Sequence, residues 1–402
     1  MVRLCFILLL LTLPAVVRGQ FAYTVDTNGL VTITGYTGSS GVVSIPNSIY
    51  GYTVVGIARD VCFNQSVVTS VSIPSTVTNI GSRAFADCRN LSSITVDTAN
   101  PAFSSLDGVL LNKNQSRLVQ CPAGKAGAYT VPSGVSIIGS NSFLGCVSLT
   151  GVMLPANLQS IEDWAFVWCF GLKSITIPAS VARMGTDVFS NCNQLTNATI
   201  LNSLIQDYEF YGCPALTTVS LGNRVTNVGI YAFAYCPNLA RLTTPNILTN
   251  IGAFAFQYCY GLTNVMFGEG LINIGNGAFS SCTNLTAVFF QGDAPHLEPI
   301  AFSGAPAVIY YLSGTKGWSF QFGGRIALLW NPVMCNCAVR TGQFGFTVNG
   351  TAYIPIVIEA CANPVQPMWV PLQTCTLTNG SIPFCDSGWT NYPARSYRVR
   401  SP

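Results

Sequence analysis

The sequence repeats one short pattern about every 23 residues along most of its length. Seven cysteines mark the period, and each follows the previous one after 23 residues or, once, after 21. Phe lies three residues before each of these cysteines and Leu three residues after it. They are Cys146, Cys169, Cys192, Cys213, Cys236, Cys259 and Cys282. Such a period indicates a chain that stacks small units, because one unit is too short to enclose a core of its own.

The residues between the Phe-x-x-Cys segments also repeat, and they predict the shape of one unit. After the Leu, apolar and polar residues alternate, as from Leu172 to Ile177, which is typical of a strand with one buried face. A Pro then ends the strand, because it cannot donate a hydrogen bond to a neighbour. We therefore predict a right-handed solenoid of parallel strands. The Ala-Phe-x-x-Cys segment should be a tight turn or a short helix opposite the sheet.

Stacking would place equivalent side chains of successive coils on one another. Neighbouring strands lie about 4.8 Å apart, so Phe should pack on Phe and Cys on Cys in a buried ladder. Its central members are Phe166, Phe189, Phe233 and Phe256, with Cys169, Cys192, Cys236 and Cys259. Stacked side chains point the same way and lack the close ligand spacing of a metal site, so we expect reduced, buried thiols.

The first residues predict export. Arg3 precedes a short apolar run from Leu4 to Leu13, and small residues follow it, which is the pattern of a secretory signal peptide over residues 1–19. The run is too short to cross a bilayer, which needs about 20 residues. We expect a secreted or cell-surface protein that does not span the membrane.

The extent of the repeat predicts the domains. The solenoid is expected over 20–330, with a hairpin-like insertion near 97–132 and atypical coils that cap its two ends. Residues 331–342 are predicted to be a linker. Residues 343–402 should form a small antiparallel, β-sandwich-like module with a hairpin turn at Asn379-Gly380, because Asn-Gly suits the turn that joins two strands.

Two segments carry a resemblance to a known family. Ile80 to Cys88 reads Ile-Gly-Ser-Arg-Ala-Phe-Ala-Asp-Cys, and Ile251 to Cys259 repeats it with few changes. This motif resembles the BspA-like leucine-rich repeats of bacterial surface proteins over roughly residues 22–315. The resemblance implies a leucine-rich-repeat solenoid at the cell surface, where several members are adhesins, but it implies no ligand. The last segment is similar to modules that end secreted repeat proteins of environmental bacteria, which leaves surface retention and simple capping both open.

Composition narrows the class of partner. Charged residues make up 8% of the chain and the net charge is +3, whereas an ordinary domain has about 25% charged residues. The basic residues are scattered rather than gathered in a stripe, which argues against nucleic-acid binding. We expect an extracellular protein or polysaccharide as the partner, and a monomeric chain.

Five cysteines near the end of the chain fall outside the repeat, and an exported protein can form bridges among such residues. They are Cys335, Cys337, Cys361, Cys375 and Cys385. Their odd number would leave one unpaired. Cys375 and Cys385 flank the Asn379-Gly380 turn and are the first candidate disulfide.

The residues give little support for an enzyme. His296 is the single histidine, and no catalytic motif surrounds it. Polysaccharide-cleaving enzymes built on solenoids use paired carboxylates on the sheet face, whereas none of the strand positions predicted to face outward is acidic. These positions are Ser93, Thr95, Gly151, Met153, Ser174, Thr176, Asn197, Thr199, Thr218, Ser220, Arg241, Thr243, Asn264, Met266, Ala287 and Phe289.

Five acidic residues fall near the turns of adjacent coils. They are Glu162, Asp163, Asp187, Asp207 and Glu209. A weak calcium site is one interpretation, since carboxylates are its ligands, and solvated turn acids are the commoner one. We predict no metal and no cofactor.

The predicted function is non-enzymatic recognition, as in adhesion to a protein or polysaccharide outside the cell. A rigid repeat array presents an extended face, and such faces bind extended partners. The predicted binding residues lie on the outward sheet face and are Thr176, Thr199, Ser220, Arg241 and Thr243. An enzyme acting on polysaccharide and a purely structural surface component remain as alternatives.

Overall fold

The computed structural model describes residues 20–340, 343–362, 367–392 and 394–400. The predicted signal peptide, residues 1–19, lies outside the described residues. The chain forms a solenoid of stacked coils joined by parallel strand pairs, followed by antiparallel sheets. This confirms the predicted fold class, a leucine-rich-repeat-type β-solenoid with a C-terminal antiparallel β part.

Each regular coil contributes one longer strand and one two-residue strand. The longer strands are β14 Leu149–Met153, β16 Ser174–Ile177, β18 Asn197–Ile200, β20 Thr218–Leu221, β22 Arg241–Thr243, β24 Asn264–Phe267, β26 Ala287–Phe290 and β28 Val308–Leu312. The short strands are β13 Ile137–Ile138, β15 Ser160–Ile161, β17 Arg183–Met184, β19 Leu204–Ile205, β21 Asn227–Val228, β23 Asn250–Ile251, β25 Asn273–Ile274 and β27 His296–Leu297. Most of these strands pair with their equivalents in the next coil, but the pairing is interrupted between β14 and β16, between β20 and β22, and between β17 and β19.

The longer strands show why alternation in the sequence produces this fold. In β16, Ile175 and Ile177 point into the solenoid and are buried, while Ser174 and Thr176 face outward and are exposed. Parallel pairing keeps this register, so Thr176 lies beside Thr199 of the next coil. We call the outward surface of the longer strands the sheet face.

The Ala-Phe-x-x-Cys segments are turns, so the tight turn is present at this position and the predicted alternative, a short helix, is not. The backbone N–H of Phe166 donates to the carbonyl of Val188 in the next coil at 2.9 Å, instead of to a residue four positions earlier. The residues two before and two after this Phe, Trp164 and Trp168, have φ of 57° and 60°. A residue with left-handed backbone conformation on each side of the Phe interrupts helical geometry.

The core of the solenoid is the stack of phenylalanines. Phe166 and Phe189 are fully buried, and their ring centroids lie 5.0 Å apart with an angle of 17° between the planes. The coils are able to approach this closely because Gly follows the Ile of most short strands. A Cβ atom at Gly252 would lie 2.6 Å from the carbonyl carbon of Gly229 in the previous coil, closer than real contacts allow.

The N-terminal end of the solenoid is closed by an antiparallel hairpin of the first two strands. Its second strand then pairs in parallel with a strand of the first coil. The strands of this end are β1 Phe21–Val25, β2 Leu30–Tyr36, β3 Val42–Ser44, β4 Ser48–Ile49, β5 Tyr52–Ile57, β6 Ser70–Ile73, β7 Asn79–Ile80 and β8 Ser93–Val96. Its side chains enclose a separate hydrophobic core that includes Phe85.

An irregular stretch between 97 and 132 separates the two cores of the solenoid. Its strands are β9 Phe103–Leu106, β10 Val109–Asn112, β11 Arg117–Gln120 and β12 Gly127–Thr130. β9 and β10 form an antiparallel hairpin, while β11 and β12 pair in parallel with strands of the next coil. In β10, Leu110 packs into the N-terminal core, and Val109 and Leu111 pack into the larger one.

The other end of the solenoid is closed by aromatic side chains. After β28, the chain forms β29 Gln321–Phe322 and β30 Arg325–Trp330, which pair antiparallel with each other, and β30 continues the parallel sheet. The Trp318 ring stacks on Tyr311 at 5.1 Å and contacts Phe322 at 4.8 Å. These rings cover the end of the core.

The last part of the chain forms two three-stranded antiparallel sheets, which we call the C-terminal module. The strands are β31 Val333–Arg340, β32 Gln343–Asn349, β33 Pro355–Cys361, β34 Val370–Thr376, β35 Ser381–Asp386 and β36 Ser396–Arg400, with a 3-10 turn at Trp389–Asn391. One sheet has the order β31-β32-β35 and the other the order β34-β33-β36.

Three local predictions for this module are wrong. Residues 331–342 were expected to be a linker, but Val333–Arg340 is a strand that pairs with Gln343–Asn349. Asn379-Gly380 does not join a hairpin, because the strands on its two sides belong to different sheets. For the same reason Cys375 and Cys385 do not form the expected disulfide, and both are free thiols.

Candidate functional site

The sheet face brings the predicted binding residues into line. Thr176, Thr199 and Ser220 occupy the same register position in three paired strands. Arg241 and Thr243 follow on the outward side of the next longer strand, and both are exposed. The parallel register aligns the first three hydroxyl side chains, and the 23-residue spacing between Ser220 and Thr243 continues the row across the break in pairing between β20 and β22.

The character of this row changes near the end of the solenoid. Thr243 lies beside Met266, Met266 beside Phe289, and Phe289 beside Tyr310. The outward position thus passes from hydroxyl to aromatic side chains. Phe289 was expected to face solvent with Ala287, but it is 5% exposed. The prediction failed because the C-terminal module covers this part of the face.

The module is attached by a shared hydrophobic core. Phe289 and Tyr310 of the solenoid pack with Phe346 and Ile356 of the module. Two hydrogen bonds cross the contact. Tyr310 Oη donates to the carbonyl of Tyr353 at 3.2 Å, and Trp330 Nε1 donates to the carbonyl of Pro355 at 3.0 Å. The module therefore lies against the sheet face instead of beyond the last coil.

A cavity of about 580 Å³ lies where the open sheet face meets the module. We call it the junction pocket. Its lining combines apolar and aromatic side chains with two guanidinium groups, two amides and two hydroxyls, and contains no carboxylate. The lining residues are Arg241, Thr243, Asn264, Met266, Phe289, Phe290, Gln291, Tyr310, Leu312, Trp330, Val399 and Arg400. Concave sites of this size and mixture are typical of ligand binding.

The junction pocket has an excess of positive charge. Arg400 Nε donates to Glu359 Oε1 and Arg398 Nε donates to Glu359 Oε2, both at 2.7 Å. Burial favours the neutral form of Glu359, but these two guanidinium groups outweigh it and hold the pKa of the carboxyl below its usual range. Arg241, which also lines the pocket, has no carboxylate within 4.0 Å among the residues that the structure describes. The lining itself therefore contains two guanidinium groups, those of Arg241 and Arg400, and no carboxylate.

A second hollow, of about 700 Å³, lies on the sheet face nearer the insertion. Thr176 lines it, together with Met153, which is 59% exposed, and Leu201, which is 39% exposed. The predicted binding residues therefore do not meet at one site. Thr176 borders this hollow, Arg241 and Thr243 border the junction pocket, and Thr199 and Ser220 lie between them.

The acidic residues near the turns have structural partners. Arg117 Nη1 donates to Glu162 Oε1 at 2.6 Å, and the backbone N–H of Ser140 donates to Glu162 Oε2 at 3.0 Å. Asp163 accepts from the backbone N–H of Thr186 at 2.9 Å, which links neighbouring coils. Within the described ranges no group of three or more potential metal ligands occurs. The structure therefore adds nothing to the calcium interpretation.

His296 lies away from the junction pocket. Its side chain is 68% exposed, and its Nε2 atom is 3.5 Å from Glu298 Oε1. Ser, Cys and Asp side chains are not among its contacts in the hydrogen bonds and ion pairs that the described residues make. Among the described residues, no nucleophilic side chain is therefore held beside the imidazole in a position where the imidazole could take its proton.

Sequence reasoning identified one wall of the junction pocket and missed the other. Arg241, Thr243, Asn264 and Met266 were all expected to face outward. The change to apolar outward positions from Met266 onward is a signal that this part of the face is covered. No feature of the sequence indicates that Arg400 lines the pocket, because its place there depends on where the module packs.

Comparison with known proteins supports the repeat. The model of the BspA-type leucine-rich repeat region matches in six copies, over residues 57–106, 125–206 and 203–311. A search of curated proteins gave no match. Among the described residues no helix is long and apolar enough to cross a membrane.

Solved structures of bacterial repeat proteins are also similar to this chain. A leucine-rich repeat protein from Eubacterium ventriosum has 18% identity and a TM-score of 0.49, covering 72% of this chain and 94% of its own. A leucine-rich cell surface protein from Faecalibacterium prausnitzii has 24% identity and a TM-score of 0.35, covering 69% and 95%. The pneumococcal vaccine antigen PcpA has 14% identity and a TM-score of 0.36, covering 79% and 98%.

The family match covers more than half of the 402 residues. It includes the coils that form the central Phe and Cys ladders and those that carry Arg241 and Thr243 on the sheet face. The chain belongs to the BspA-type leucine-rich repeat family.

Proposed function

We propose that this chain is a secreted or cell-surface protein that binds an extracellular protein or polysaccharide through its sheet face, without chemical conversion of the ligand. The observation that carries the proposal is the row of outward hydroxyl side chains that leads into the junction pocket. Thr199, Ser220 and Thr243 are part of this row. A repetitive polar surface on a rigid scaffold suits an extended ligand.

The chemistry of the face favours binding over catalysis. Glycoside hydrolysis requires two carboxyl groups about 5 to 9 Å apart on either side of the scissile bond. The lining of the junction pocket provides guanidinium, amide and hydroxyl groups instead. These groups hold and orient a ligand, and none of them has a partner that would make it a nucleophile or a general base.

The location outside the cell rests on the signal-peptide pattern of residues 1–19. Secretion of the chain, with cleavage before Gln20, is therefore part of the proposal. It is tested by expressing the full chain in a bacterial host and sequencing the N terminus of the exported protein. Retention of the chain inside the cell with Met1 intact would contradict this part.

The binding proposal is tested with an array of glycans and matrix proteins probed with the purified full chain. Thr199→Glu and Arg241→Glu place negative charge on the sheet face, and both should weaken binding of the array ligand. Arg224→Glu is the matched control, since Arg224 is exposed and lies outside the longer strands.

Each alternative has its own outcome in the same experiment. A structural surface component would bind no ligand saturably. An enzyme would release shorter products from a polysaccharide on the array, seen as new reducing ends. If Thr199→Glu, Arg241→Glu and Arg224→Glu all bind as the wild type does, the ligand lies elsewhere and the assignment to the sheet face is wrong.

A further inference from the structure

We propose that the junction pocket binds a carboxylated sugar ring, so that the ligand of this protein is an acidic saccharide. The inference rests on the proposed function and deepens it by naming a ligand class and one specificity-determining residue, Arg241. The site is formed by both parts of the chain, because Arg241 belongs to a solenoid strand and Arg400 to the last strand of the module.

The first argument for an acidic ligand is the charge of the residues at the pocket. Glu359 is almost fully buried, with 4% of its side chain exposed, and it already accepts hydrogen bonds from Arg398 and Arg400. Arg241 adds a further guanidinium group to the lining, and it is exposed with no carboxylate partner among the residues described. A negatively charged ligand would restore the balance.

The second argument is the geometry of the guanidinium group, which suits a carboxylate. A guanidinium group offers parallel N–H donors that match the two oxygens of a carboxylate. Arg241 lines the pocket and lies directly beside Asn264 of the next coil. The pair presents a cation and an amide to the same ligand group. A neutral sugar would use only the amide and leave the guanidinium without an anion.

The apolar part of the lining is the third step. Met266, Phe289 and Trp330 give one side of the cavity an apolar and aromatic surface, while Thr243 and Gln291 contribute polar groups. A pyranose ring has this same division, with C–H groups on its faces and hydroxyl groups at its edge. The cavity of about 580 Å³ lies within the usual range of small-molecule sites, about 300 to 1,000 Å³.

The position of the pocket is the fourth step. The hydroxyl row of Thr199, Ser220 and Thr243 reaches the pocket, since Thr243 is part of its lining. A chain of sugars with its acidic ring in the pocket would continue along that row and find one hydroxyl side chain per coil. The module covers the other side of the pocket, so a long ligand would extend towards the N-terminal coils.

The test is a titration of the purified full chain with an oligogalacturonate, followed by calorimetry at low salt. The matched neutral probe is a galactose oligomer of the same length. We expect the acidic oligomer to bind about tenfold more tightly or better, and Arg241→Gln to remove about that factor, as the loss of a charge-assisted hydrogen bond would. Arg241→Lys should keep part of the affinity, since it keeps the charge without the fork of donors.

The control is Arg224→Gln, which makes the same charge change at an exposed site outside the pocket and should leave affinity unchanged. Arg241 is exposed, so its variants should unfold at the same temperature as the wild type, and this is checked by thermal melting. Equal affinity of the two oligomers, no binding of the acidic one, or no effect of Arg241→Gln would each overturn the proposal.

Three further outcomes separate this inference from the broader function. A poly-glutamate peptide that binds more tightly than the oligogalacturonate, in a way that depends on Arg241, would assign the pocket to an acidic peptide and overturn the saccharide. If Thr199→Glu still weakens binding of another array ligand, the sheet face is the binding surface and only the ligand class is wrong. If no sheet-face variant affects any ligand, the proposed function itself is wrong.

Discussion

The thiol of Cys169 donates a hydrogen bond to the carbonyl oxygen of Phe143, one coil earlier, with a sulfur–oxygen distance of 3.1 Å. The same bond joins Cys259 to Phe233 at 3.1 Å. The ladder cysteines therefore do more than fill space, because they also satisfy carbonyl groups that face the core. The carbonyl of Phe143 also accepts from the backbone N–H of Cys146 at 3.0 Å, so the thiol supplies a second, weak donor to an oxygen that has two lone pairs.

The ladder thiols should resist modification in the folded protein. Burial raises the pKa of Cys236 and of Cys259 well above the ordinary value of 9.0, and the reactive thiolate is therefore scarce at neutral pH. We expect N-ethylmaleimide to modify Cys337 and Cys385, which are exposed, long before it reaches the ladder. Peptide mapping by mass spectrometry, before and after unfolding in guanidinium chloride, checks this. Rapid modification of Cys259 in the native protein would contradict it.

Phe256→Ala should strongly destabilise the solenoid. The ring is fully buried between Phe233, at 5.2 Å, and Phe279, at 5.1 Å. Removing a buried aromatic ring of this kind typically lowers the free energy of unfolding by about 3–5 kcal/mol. Denaturant unfolding followed by circular dichroism measures the loss. Phe320→Ala is the control, since Phe320 is 69% exposed and should have no measurable effect.

Glu209 should make the stability of the protein depend on pH. It is fully buried at a position where neighbouring coils have Ala232 or Val188. Burial raises the pKa of its carboxyl from 4.5 to about 8, although the backbone N–H of Gln206 donates to it. The folded chain keeps this proton up to about pH 8, whereas the unfolded chain releases it near pH 4.5. The folded state binds more protons in that window, so stability falls as pH rises from about 4.5 to 8 and levels off above it.

Glu209→Gln should remove this dependence and stabilise the protein at pH 8. One pKa unit corresponds to about 1.4 kcal/mol, so the gain is on the order of a few kcal/mol and shrinks to nothing below about pH 4.5. Urea unfolding at several pH values measures it. The control is Glu269→Gln, at an exposed site, which should keep the slope of the wild type. Parallel curves for the wild type and Glu209→Gln would show that this carboxyl is not the cause.

Phe289→Asp should release the C-terminal module from the sheet face. The ring is 5% exposed and stacks on Tyr310 at 5.0 Å within the core that the solenoid and the module share. A carboxylate at this position would be buried without a partner unless the contact opened. We expect faster cleavage by a protease between the two parts, detected by mass spectrometry, with the solenoid intact. Phe320→Asp should be cleaved at the rate of the wild type, and an equal rate for Phe289→Asp would contradict shared packing.

Much of the fold follows from the sequence because each coil repeats the same local rules. The 23-residue period and the alternation around Ile175 and Ile177 predicted a parallel-strand solenoid, and this is confirmed. Stacking makes the prediction robust, since a residue in one coil has the same surroundings as its equivalent in the next. The regular outward positions, including Thr199 and Arg241, were predicted for the same reason.

The tertiary structure determined the features that do not recur from one coil to the next. The Asn379-Gly380 turn predicted a hairpin, but its two strands entered different sheets, because local turn chemistry does not determine which strand each one pairs with. Phe289 was expected to be exposed, because its alternation marks it as outward-facing, and the module covers it. The junction pocket depends on this long-range packing. The sequence determined that Arg241 faces outward, and only the folded chain placed it in the lining of one cavity with Arg400.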